Sequence, residues 1–316
     1  MHACSELFVQ QRLIMIRTGI ILSIILSIIL ITIAAFAAVI NGGSIHYSIA
    51  QGDSLSLISA KVGVSSRFIA SMNSLKPGQR LIPGQDLLIN ATKIVPKTLD
   101  NGILIDVPAR RLYLFKNGTI ELSFPVGLGM PKWRSITRWH TPTGNFTITR
   151  KSRNPVWYVP KSIQEQMRME GKPVLAEVPP GPDNPLGTYI LYTSFPAIAI
   201  HETISPESVY KFATHGCIRV LPENIKKLYE EVEVGTSGEI VYEPVKAAVT
   251  DNGRVFLEID SDVYSSIPNL MQEVRNRLDA LHVETEICWD DVKRVVQEHS
   301  GVAEDITLSP LCPINR

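Results

Sequence analysis

The pattern of hydrophobic and polar residues changes several times along the chain, and its first part is an uninterrupted apolar run. Residues 19–40 contain no charged side chain, and two arginines precede them. About 20 apolar residues suffice to cross a bilayer, whereas a basic start, an apolar centre and an Ala-Phe-Ala site at 35–37 are typical of a secretory signal. We therefore expect residues 1–38 to be a signal peptide or a membrane anchor, with Met15 the more usual start, and the remainder to be exported.

The next fifty residues predict a small βααβ unit. A short alternating strand is followed by a turn at Gly52–Asp53 and by a helix for which Ser54 is a suitable cap. Gly63 ends this helix, and a second short helix follows it. A turn at Pro83–Gly84 then leads into a strand at 86–90. The flanking segments are expected to be linkers, namely 41–45 and 91–98.

From residue 99 to residue 245 the pattern indicates β-structure. Short apolar runs are separated by Gly and Pro turns, and Lys116-Asn117-Gly118 predicts a tight hairpin. Many short strands joined in this way favour a mostly antiparallel sandwich or a barrel, with one short helix at 222–230. The predicted strands are 102–107, 112–115, 119–126, 146–149, 189–194, 197–201 and 239–242.

After Pro244 the character changes again, to one strand and two helices. The strand is predicted at 254–259, and the helices at 268–281 and 289–298, the first with an apolar stripe on one side. We interpret 246–316 as a short α-rich C-terminal extension that packs on the β domain and carries no chemistry. The fold class is therefore mainly β with some α.

Composition and charge narrow the possible functions. The chain is 45% hydrophobic and 20% charged, which is typical of a globular protein. Lysine plus arginine and aspartate plus glutamate both number 31, so the balance gives no support for nucleic acid as a partner. Three of the four cysteines lie in the part expected to be exported. Cys288 and Cys312 flank the last predicted helix and could pair, which would leave Cys217 as a free thiol, or both could remain reduced.

The residues that can carry chemistry lie between 201 and 219. A thiol such as that of Cys217 attacks an acyl carbon as thiolate, and a histidine such as His201 or His215 can take its proton and return it to a leaving amine. The backbone amides of Gly216 and Cys217 could stabilise an oxyanion, and Arg219 could hold a carboxylate.

Three other interpretations of these residues compete with nucleophilic catalysis. His201, His215 and Cys217 could bind zinc, although a fourth ligand is lacking. Cys217 could be an inert buried cysteine, because free cysteines are commonly buried. The histidines could be structural. Spacing alone does not decide between these alternatives.

Two family resemblances bear on the choice. Residues 46–90 contain the motifs Gly52-Asp53-Ser54-Leu55, Met72-Asn73-Ser74-Leu75 and Pro83-Gly84-Gln85-Asp86-Leu87. With these motifs the segment resembles the LysM module, which binds N-acetylglucosamine-containing glycans such as peptidoglycan, and we expect this module at 44–91. Residues 99–245 contain the motif Thr214-His215-Gly216-Cys217-Ile218-Arg219 with His201 ahead of it, and two further motifs at 141–146 and 179–187. With these motifs the segment resembles the catalytic domain of YkuD-type L,D-transpeptidases.

The second resemblance implies roles for individual residues. Cys217 would be the nucleophile and His201 the proton donor and acceptor, with the backbone carbonyl near Glu202 orienting the imidazole. His215 would support the site. Arg219 would contact substrate carboxylates together with Thr214, which stands where serine is usual in the family.

The resemblance also implies a substrate and a location. Such enzymes attack the diaminopimelate carbonyl of a peptidoglycan tetrapeptide stem, release D-alanine and form a thioester, and no cofactor or metal is expected. The acceptor would be a second stem, giving a 3–3 crosslink, a lysine of an outer-membrane lipoprotein, or water. The protein would then reside in the periplasm, either released by signal cleavage or anchored in the inner membrane. A cell-wall binding protein with a degenerate catalytic domain and a hydrolytic peptidase remain as alternatives.

Overall fold

The computed structural model describes residues 39–131, 139–283 and 285–312. The signal or anchor expected at 1–38 lies outside these ranges. Among the described residues, no helix is both long enough and apolar enough to span a membrane. All described residues belong to a single compact unit.

The N-terminal module has the predicted βααβ order. Ser54 caps the first helix by accepting a hydrogen bond from the amide of Leu57, and Gly63 ends the helix with a φ of 72°. The two longer strands pair antiparallel and enclose a small apolar core with the helices. The elements of this part are β1 (Ile40–Asn41), β2 (Ser44–Ser48), α1 (Leu55–Val62), α2 (Ser66–Met72), β3 (Asp86–Asn90) and β4 (Lys93–Ile94).

The segments expected to be linkers are instead part of the packed structure. β1 and β4 pair antiparallel, and Lys93, Ile94 and Val95 are buried. Ala60 on α1 also packs against Val209 of the following domain. The prediction of flexible linkers was wrong, because the alternation of apolar residues within so short a segment is a weak signal for a strand.

The second part is an eight-stranded sheet that is nearly closed on itself. The strand order is β15-β13-β12-β9-β16-β5-β6-β7, with five antiparallel and two parallel pairs. Just beyond β7, the backbone of Gly127 exchanges two hydrogen bonds of 2.8 Å with that of Arg219 on β15, which joins the two edges. The predicted mainly β, barrel-like fold is therefore confirmed. Its elements are β5 (Gly102–Asp106), β6 (Arg111–Lys116), β7 (Thr119–Pro125), β8 (Leu128–Gly129), β9 (Gly144–Arg153), β10 (Trp157–Tyr158), α3 (Lys161–Met169), β11 (Glu177–Val178), β12 (Tyr189–Thr193), β13 (Ala199–Glu202), β14 (Phe212–Thr214), β15 (Ile218–Val220), α4 (Pro222–Glu231) and β16 (Ser237–Val241).

The barrel interior is filled by the inward residues of its strands. Ile200 and Ile218 on neighbouring strands are completely buried there, and Ile225 and Leu228 of α4 pack on the same cluster. Alternation along each strand therefore directs the residues on either side of Ile200 and Ile218 away from this core.

The C-terminal part forms its own core against the barrel. Val274 and Leu278 of the first helix and Val292 and Val295 of the second pack on Leu257 of a three-stranded sheet. Cys288 and Cys312 form a disulfide with a Cα–Cα distance of 5.8 Å. The elements are β17 (Val245–Val249), which was not predicted, β18 (Val255–Ile259), α5 (Leu270–Asp279), α6 (Trp289–Glu298) and β19 (Glu304–Asp305).

A buried cluster of charges connects the parts of the chain. Lys246 of β17 contacts Asp106 of the barrel at 2.7 Å, Asp260 at 2.8 Å and Glu258 at 3.1 Å. Glu258 also pairs with Lys93 of β4 at 3.7 Å. Burial raises the pKa of Asp106 to about 6 and that of Glu258 to about 7, while the lysines oppose these shifts.

Candidate active site

The candidate site is built by the parallel strands β13 and β15. Their register places His201 opposite Arg219 and Ile200 opposite Ile218. Because both isoleucines point into the barrel core, His201 and Arg219 point to the other face of the sheet. Cys217 directly precedes β15, and its thiol is close enough to Arg219 for the charge of the guanidinium to act on it. The sulfur of Cys217 lies 3.4 Å from the carbonyl oxygen of Ala197.

The turn that presents Cys217 is held by Thr214 and by a glycine. The hydroxyl of Thr214 donates to the carbonyl of Cys217 at 2.6 Å and accepts from the amide of Gly216 at 3.0 Å. Gly216 has a φ of 110°, and a Cβ at this position would lie 2.8 Å from the Ile198 side chain. Only glycine can take this conformation in this space.

These contacts change two sequence-based expectations. Thr214 is 2% exposed and its hydroxyl bonds lie within the turn, so it fixes the turn and does not present a group for substrate. The amide of Gly216 is already bonded to Thr214. Both amides were expected to stabilise an oxyanion. Of the two, only the amide of Cys217 has no hydrogen-bond acceptor among the described residues.

The imidazole of His201 is fixed in one tautomer. Its Nδ1 lies 2.6 Å from the backbone carbonyl of Glu202. A carbonyl can only accept, so Nδ1 carries the proton and Nε2 is the basic nitrogen. Burial, with a smaller effect from the positive charge of Arg219, lowers the pKa of His201 to about 4. The imidazole is therefore neutral at physiological pH.

The side chain of Glu202 has a separate function. Its carboxylate accepts a hydrogen bond of 3.0 Å from the amide of Thr188, at the end of the 179–187 motif. Inside that motif, Asn184 donates to the carbonyl of Pro155 at 2.8 Å and accepts from the amide of Leu186 at 2.9 Å. The motif is thereby fastened next to the strand that carries His201.

The thiol and the guanidinium form the polar part of the site. Burial raises the pKa of Cys217, while the amide of Ala199 and the charge of Arg219 act in the opposite direction. Burial also lowers the pKa of Arg219, yet no carboxylate among the described residues pairs with its guanidinium. A half-buried cation without a counter-charge is suited to bind an anionic group.

His215 packs against an aromatic ring. The centres of its imidazole and the indole of Trp139 are 3.7 Å apart. Burial, together with Arg219, lowers the pKa of His215 to about 4, so this imidazole is neutral as well. Within the described ranges, no set of three histidine, cysteine or acidic residues is arranged to hold a metal, which excludes the zinc interpretation for His201, His215 and Cys217.

Sequence reasoning assigned no role to Thr141 or Tyr264. Thr141 belongs to the 141–146 motif, and its hydroxyl donates to the carbonyl of Gly216 at 3.0 Å. Tyr264, in the C-terminal part, accepts a hydrogen bond from the amide of Thr141 at 3.0 Å. Thr141 could have been found from the sequence, because it begins the 141–146 motif. Tyr264 could not, because a single tyrosine in an irregular segment gives no sequence signal.

The N-terminal module carries a second candidate site. A cavity of 940 Å³ lies between the loop that enters α1 and the loop that leaves α2. It is lined mainly by residues 49–55, 75–81 and Pro83, together with Arg67, Ala70 and Ser71. Both turns that the sequence predicted, Gly52–Asp53 and Pro83–Gly84, belong to these loops.

The chain thus combines a βααβ module with a nearly closed β-sheet. On this sheet His201 lies opposite Arg219, and Cys217 directly precedes the strand of Arg219, so the β domain carries a site with a thiol, an imidazole and a guanidinium. Known families match both parts. The YkuD family, described as L,D-transpeptidase catalytic domain, matches residues 100–246, and the LysM domain matches residues 47–90.

Individual relatives agree with these matches. "Probable L,D-transpeptidase YbiS" of Escherichia coli strain K12 is 33% identical over 195 residues, which cover 60% of this chain and 62% of YbiS. "Probable L,D-transpeptidase ErfK/SrfK" of Salmonella typhimurium is 31% identical over 231 residues, covering 71% of this chain and 73% of the relative. The chain belongs to the L,D-transpeptidase family.

The solved structures align less completely. The catalytic domain of the E. faecium L,D-transpeptidase, determined by NMR, is 21% identical and covers 45% of this chain and 97% of its own, with a TM-score of 0.33. The chain spans 62% of the length of YbiS. Its substrates and partners are therefore matters of proposal.

Proposed function

We propose that this chain is a cysteine-dependent peptidoglycan L,D-transpeptidase of the periplasm. The observation that carries the proposal is the position of Arg219, which lies opposite His201 and whose charge acts on both His201 and the thiol of Cys217. Membership of the L,D-transpeptidase family supports the reaction class, and the LysM match supports a cell-wall substrate. The intact set of three side chains argues against a degenerate catalytic domain.

Acylation begins with both reacting groups uncharged. The pKa shifts favour a neutral thiol and a neutral imidazole, so Nε2 of His201 takes the proton of Cys217 as the sulfur attacks. The electrophile is the diaminopimelate carbonyl at the L-centre of a tetrapeptide stem. The amide of Cys217 faces the oxyanion that forms on it. The imidazolium then protonates the departing amine, and D-alanine leaves a thioester on Cys217.

Arg219 gives the site its preference for an anionic stem. Its guanidinium has no carboxylate partner among the described residues, and a stem peptide carries carboxylates that can accept two hydrogen bonds from it. Burial keeps the imidazoles of His201 and His215 neutral, and the positive charge of Arg219 acts in the same direction.

Deacylation follows the same steps in reverse with a different amine. The acceptor amine attacks the thioester, His201 takes its proton, and the proton then returns to the sulfur as the new amide forms. Because the thioester conserves the energy of the cleaved amide, no nucleotide is needed. We propose the side-chain amine of a second stem as the acceptor, with a lipoprotein lysine or water as the outcomes that the experiment separates.

Mass spectrometry of muropeptides after incubation with the purified protein tests this function. New 3–3 dimers that are absent with the Cys217→Ala variant would support the proposal. Adding a short peptide that ends in lysine tests the lipoprotein-type acceptor in the same assay. Accumulation of tripeptides alone would identify a hydrolase, and unchanged muropeptides would contradict any catalytic role.

We further propose that the cavity of the LysM module binds the glycan strand. Deleting the module is a poor test, because Ala60 packs on Val209 and Val302 of the C-terminal part completes the core of the module. Ser71→Trp fills the cavity from the exposed side of α2. It should weaken binding to insoluble peptidoglycan and leave turnover of a soluble stem unchanged. Gln297→Trp, on an exposed position of α6, is the matched control.

A further inference from the structure

The hydroxyl of Tyr264 joins two segments that flank the candidate nucleophile. It donates to the carbonyl of Gly129 at 2.6 Å and accepts from the amide of Thr141 at 3.0 Å. Burial raises the pKa of Tyr264, which keeps the proton that the first of these bonds requires. One phenol thus satisfies two backbone groups that are far apart in sequence.

Thr141 carries this connection to the turn of Cys217. Its hydroxyl accepts from the amide of Gly129 at 2.9 Å and donates to the carbonyl of Gly216 at 3.0 Å. Thr141 is 1% exposed, so a lost bond here would not be replaced by water without rearrangement. The peptide that follows Gly216 contains the amide of Cys217.

Ring packing holds Tyr264 in place. Its ring stacks on that of His140 with centres 3.8 Å apart and an angle of 6°, and on that of Tyr242 at 5.1 Å. The amide of Tyr264 donates to the Tyr242 hydroxyl at 2.8 Å, and this hydroxyl donates to Asp262 at 2.8 Å. The carbonyl of His140 lies so close to Gly216 that a Cβ there would be 3.2 Å from it.

We propose that Tyr264 is a positioning residue for the acyl-transfer reaction, acting through Thr141 on the turn that presents Cys217. The C-terminal part would then complete the active site, although residue 264 lies beyond the matched catalytic domain, which ends at residue 246. This proposal differs from the expectation that the segment after residue 245 has no part in the chemistry. The inference rests on the proposed function, because it requires Cys217 to be the nucleophile.

Tyr264→Phe is the decisive variant, because it removes one oxygen and keeps both stacked rings. With a soluble tetrapeptide stem, we expect kcat to fall about 10- to 100-fold, the size of effect that a small misplacement of a reacting group can cause. KM should stay within about twofold, since no substrate contact is removed. Tyr47→Phe is the matched control: it also removes hydrogen bonds of a tyrosine hydroxyl, to Asp53 and Lys61, and should leave kcat unchanged.

A double-mutant cycle with Thr141→Val tests the route. If Tyr264 acts through Thr141, the double variant loses no more activity than the worse single variant, and Thr141→Ser, which keeps the hydroxyl, retains most of it. Multiplicative losses would overturn the proposal. So would a kcat of Tyr264→Phe within twofold of the parent, or a loss of activity accompanied by a melting temperature below the assay temperature.

A measurement that needs no turnover separates this inference from the proposed function. The rate at which iodoacetamide alkylates Cys217, followed across pH by mass spectrometry of its peptide, reports the exposure and pKa of the thiol. A loosened turn should make alkylation faster in Tyr264→Phe than in the parent protein and in Tyr47→Phe. If the parent turns over no stem, the proposed function fails while this comparison still decides the coupling, and equal alkylation rates would overturn it.

Discussion

His201 and Arg219 lie directly opposite each other on two parallel strands, and their side chains share one face of the sheet. Burial lowers the pKa of His201, and the positive charge of Arg219 lowers it further because it disfavours a second positive charge on the imidazole. The same guanidinium favours the thiolate form of Cys217. Arg219 therefore affects the pKa of both partners of the proposed proton transfer, in addition to its proposed contact with substrate carboxylates.

The pH dependence of the reaction should reflect this pairing. A general base works only when unprotonated, so activity is lost as the pH falls through the pKa of His201, which is about 4. We expect the acid limb of kcat/KM on a soluble stem to lie near pH 4. In Arg219→Gln the limb should move toward the ordinary histidine value of about 6.5. A limb near pH 6.5 in the parent protein would contradict the neutral-pair mechanism.

Removing the nucleophile should abolish covalent chemistry and leave the fold intact. Cys217→Ala deletes only the sulfur, whose contact in the structure is with the carbonyl of Ala197. Incubation with a carbapenem, a class of acylating compound that L,D-transpeptidases typically accept, should give a stoichiometric adduct on the parent and none on the variant by intact mass. Circular dichroism should be the same for both. An adduct on Cys217→Ala would show that another residue is the nucleophile.

Removing the base should slow acylation without unfolding the protein. His201→Ala is expected to lower the acylation rate by about 10²- to 10⁴-fold, the usual contribution of a positioned general base. Thr193→Ala, a buried polar residue on the neighbouring strand β12, is a control for the loss of a buried side chain. If both variants lose stability and activity in parallel, His201 is structural.

Much of the local structure followed from short-range signals. Ser54 and Gly63 marked the ends of α1 because capping and left-handed backbone are set by single residues. Asn117 and Gly118 both have positive φ, at 50° and 76°, as the predicted tight hairpin requires. The register that brings His201 opposite Arg219 could not be derived this way, because pairing between strands far apart in sequence is set by the packing of the whole barrel.

The sequence pointed to the residues that are proposed to react, but not to the groups that hold them in place. The motif around Cys217 pointed to the thiol, and the expected contact between His201 and a carbonyl at Glu202 has the short distance of 2.6 Å. That Thr214 uses its hydroxyl inside the turn could be known only from the turn geometry. Tyr264 lies beyond the motifs of the β domain, and no spacing of residues in the sequence indicates that its hydroxyl contacts Thr141.

The buried charge cluster should be essential for stability. In Lys246→Met, three carboxylates lose the cation that they share, among them those of Asp106 and Asp260. Breaking a buried ion pair by removing one partner typically costs about 3–5 kcal/mol, and we expect a loss of this size in the free energy of unfolding measured with urea. Lys116→Met removes an exposed pair with Glu231 and should change the free energy little. Equal effects of the two variants would contradict the importance of the cluster.

The disulfide between Cys288 and Cys312 should stabilise the C-terminal part and protect the proposed nucleophile. The bond closes a segment of 24 residues that includes α6. By chain entropy, closing a loop of this length contributes roughly 3 kcal/mol to the free energy of unfolding. Cys312→Ser should therefore unfold at lower urea concentration than the oxidised parent. A reductant should remove the difference by destabilising the parent alone, which provides the control within the same experiment.

The pairing also determines which thiol stays reactive. With Cys288 and Cys312 bonded to each other, Cys217 is the free cysteine among the described residues. In an oxidising compartment, a second unpaired thiol could be oxidised together with Cys217 to a disulfide, which would block the thiolate. Non-reducing peptide mapping of protein isolated from an oxidising compartment should find the 288–312 peptide pair and a free-thiol label on Cys217 alone. Cys217 in a disulfide, or label on all three cysteines, would contradict the pairing and the protective role assigned to it.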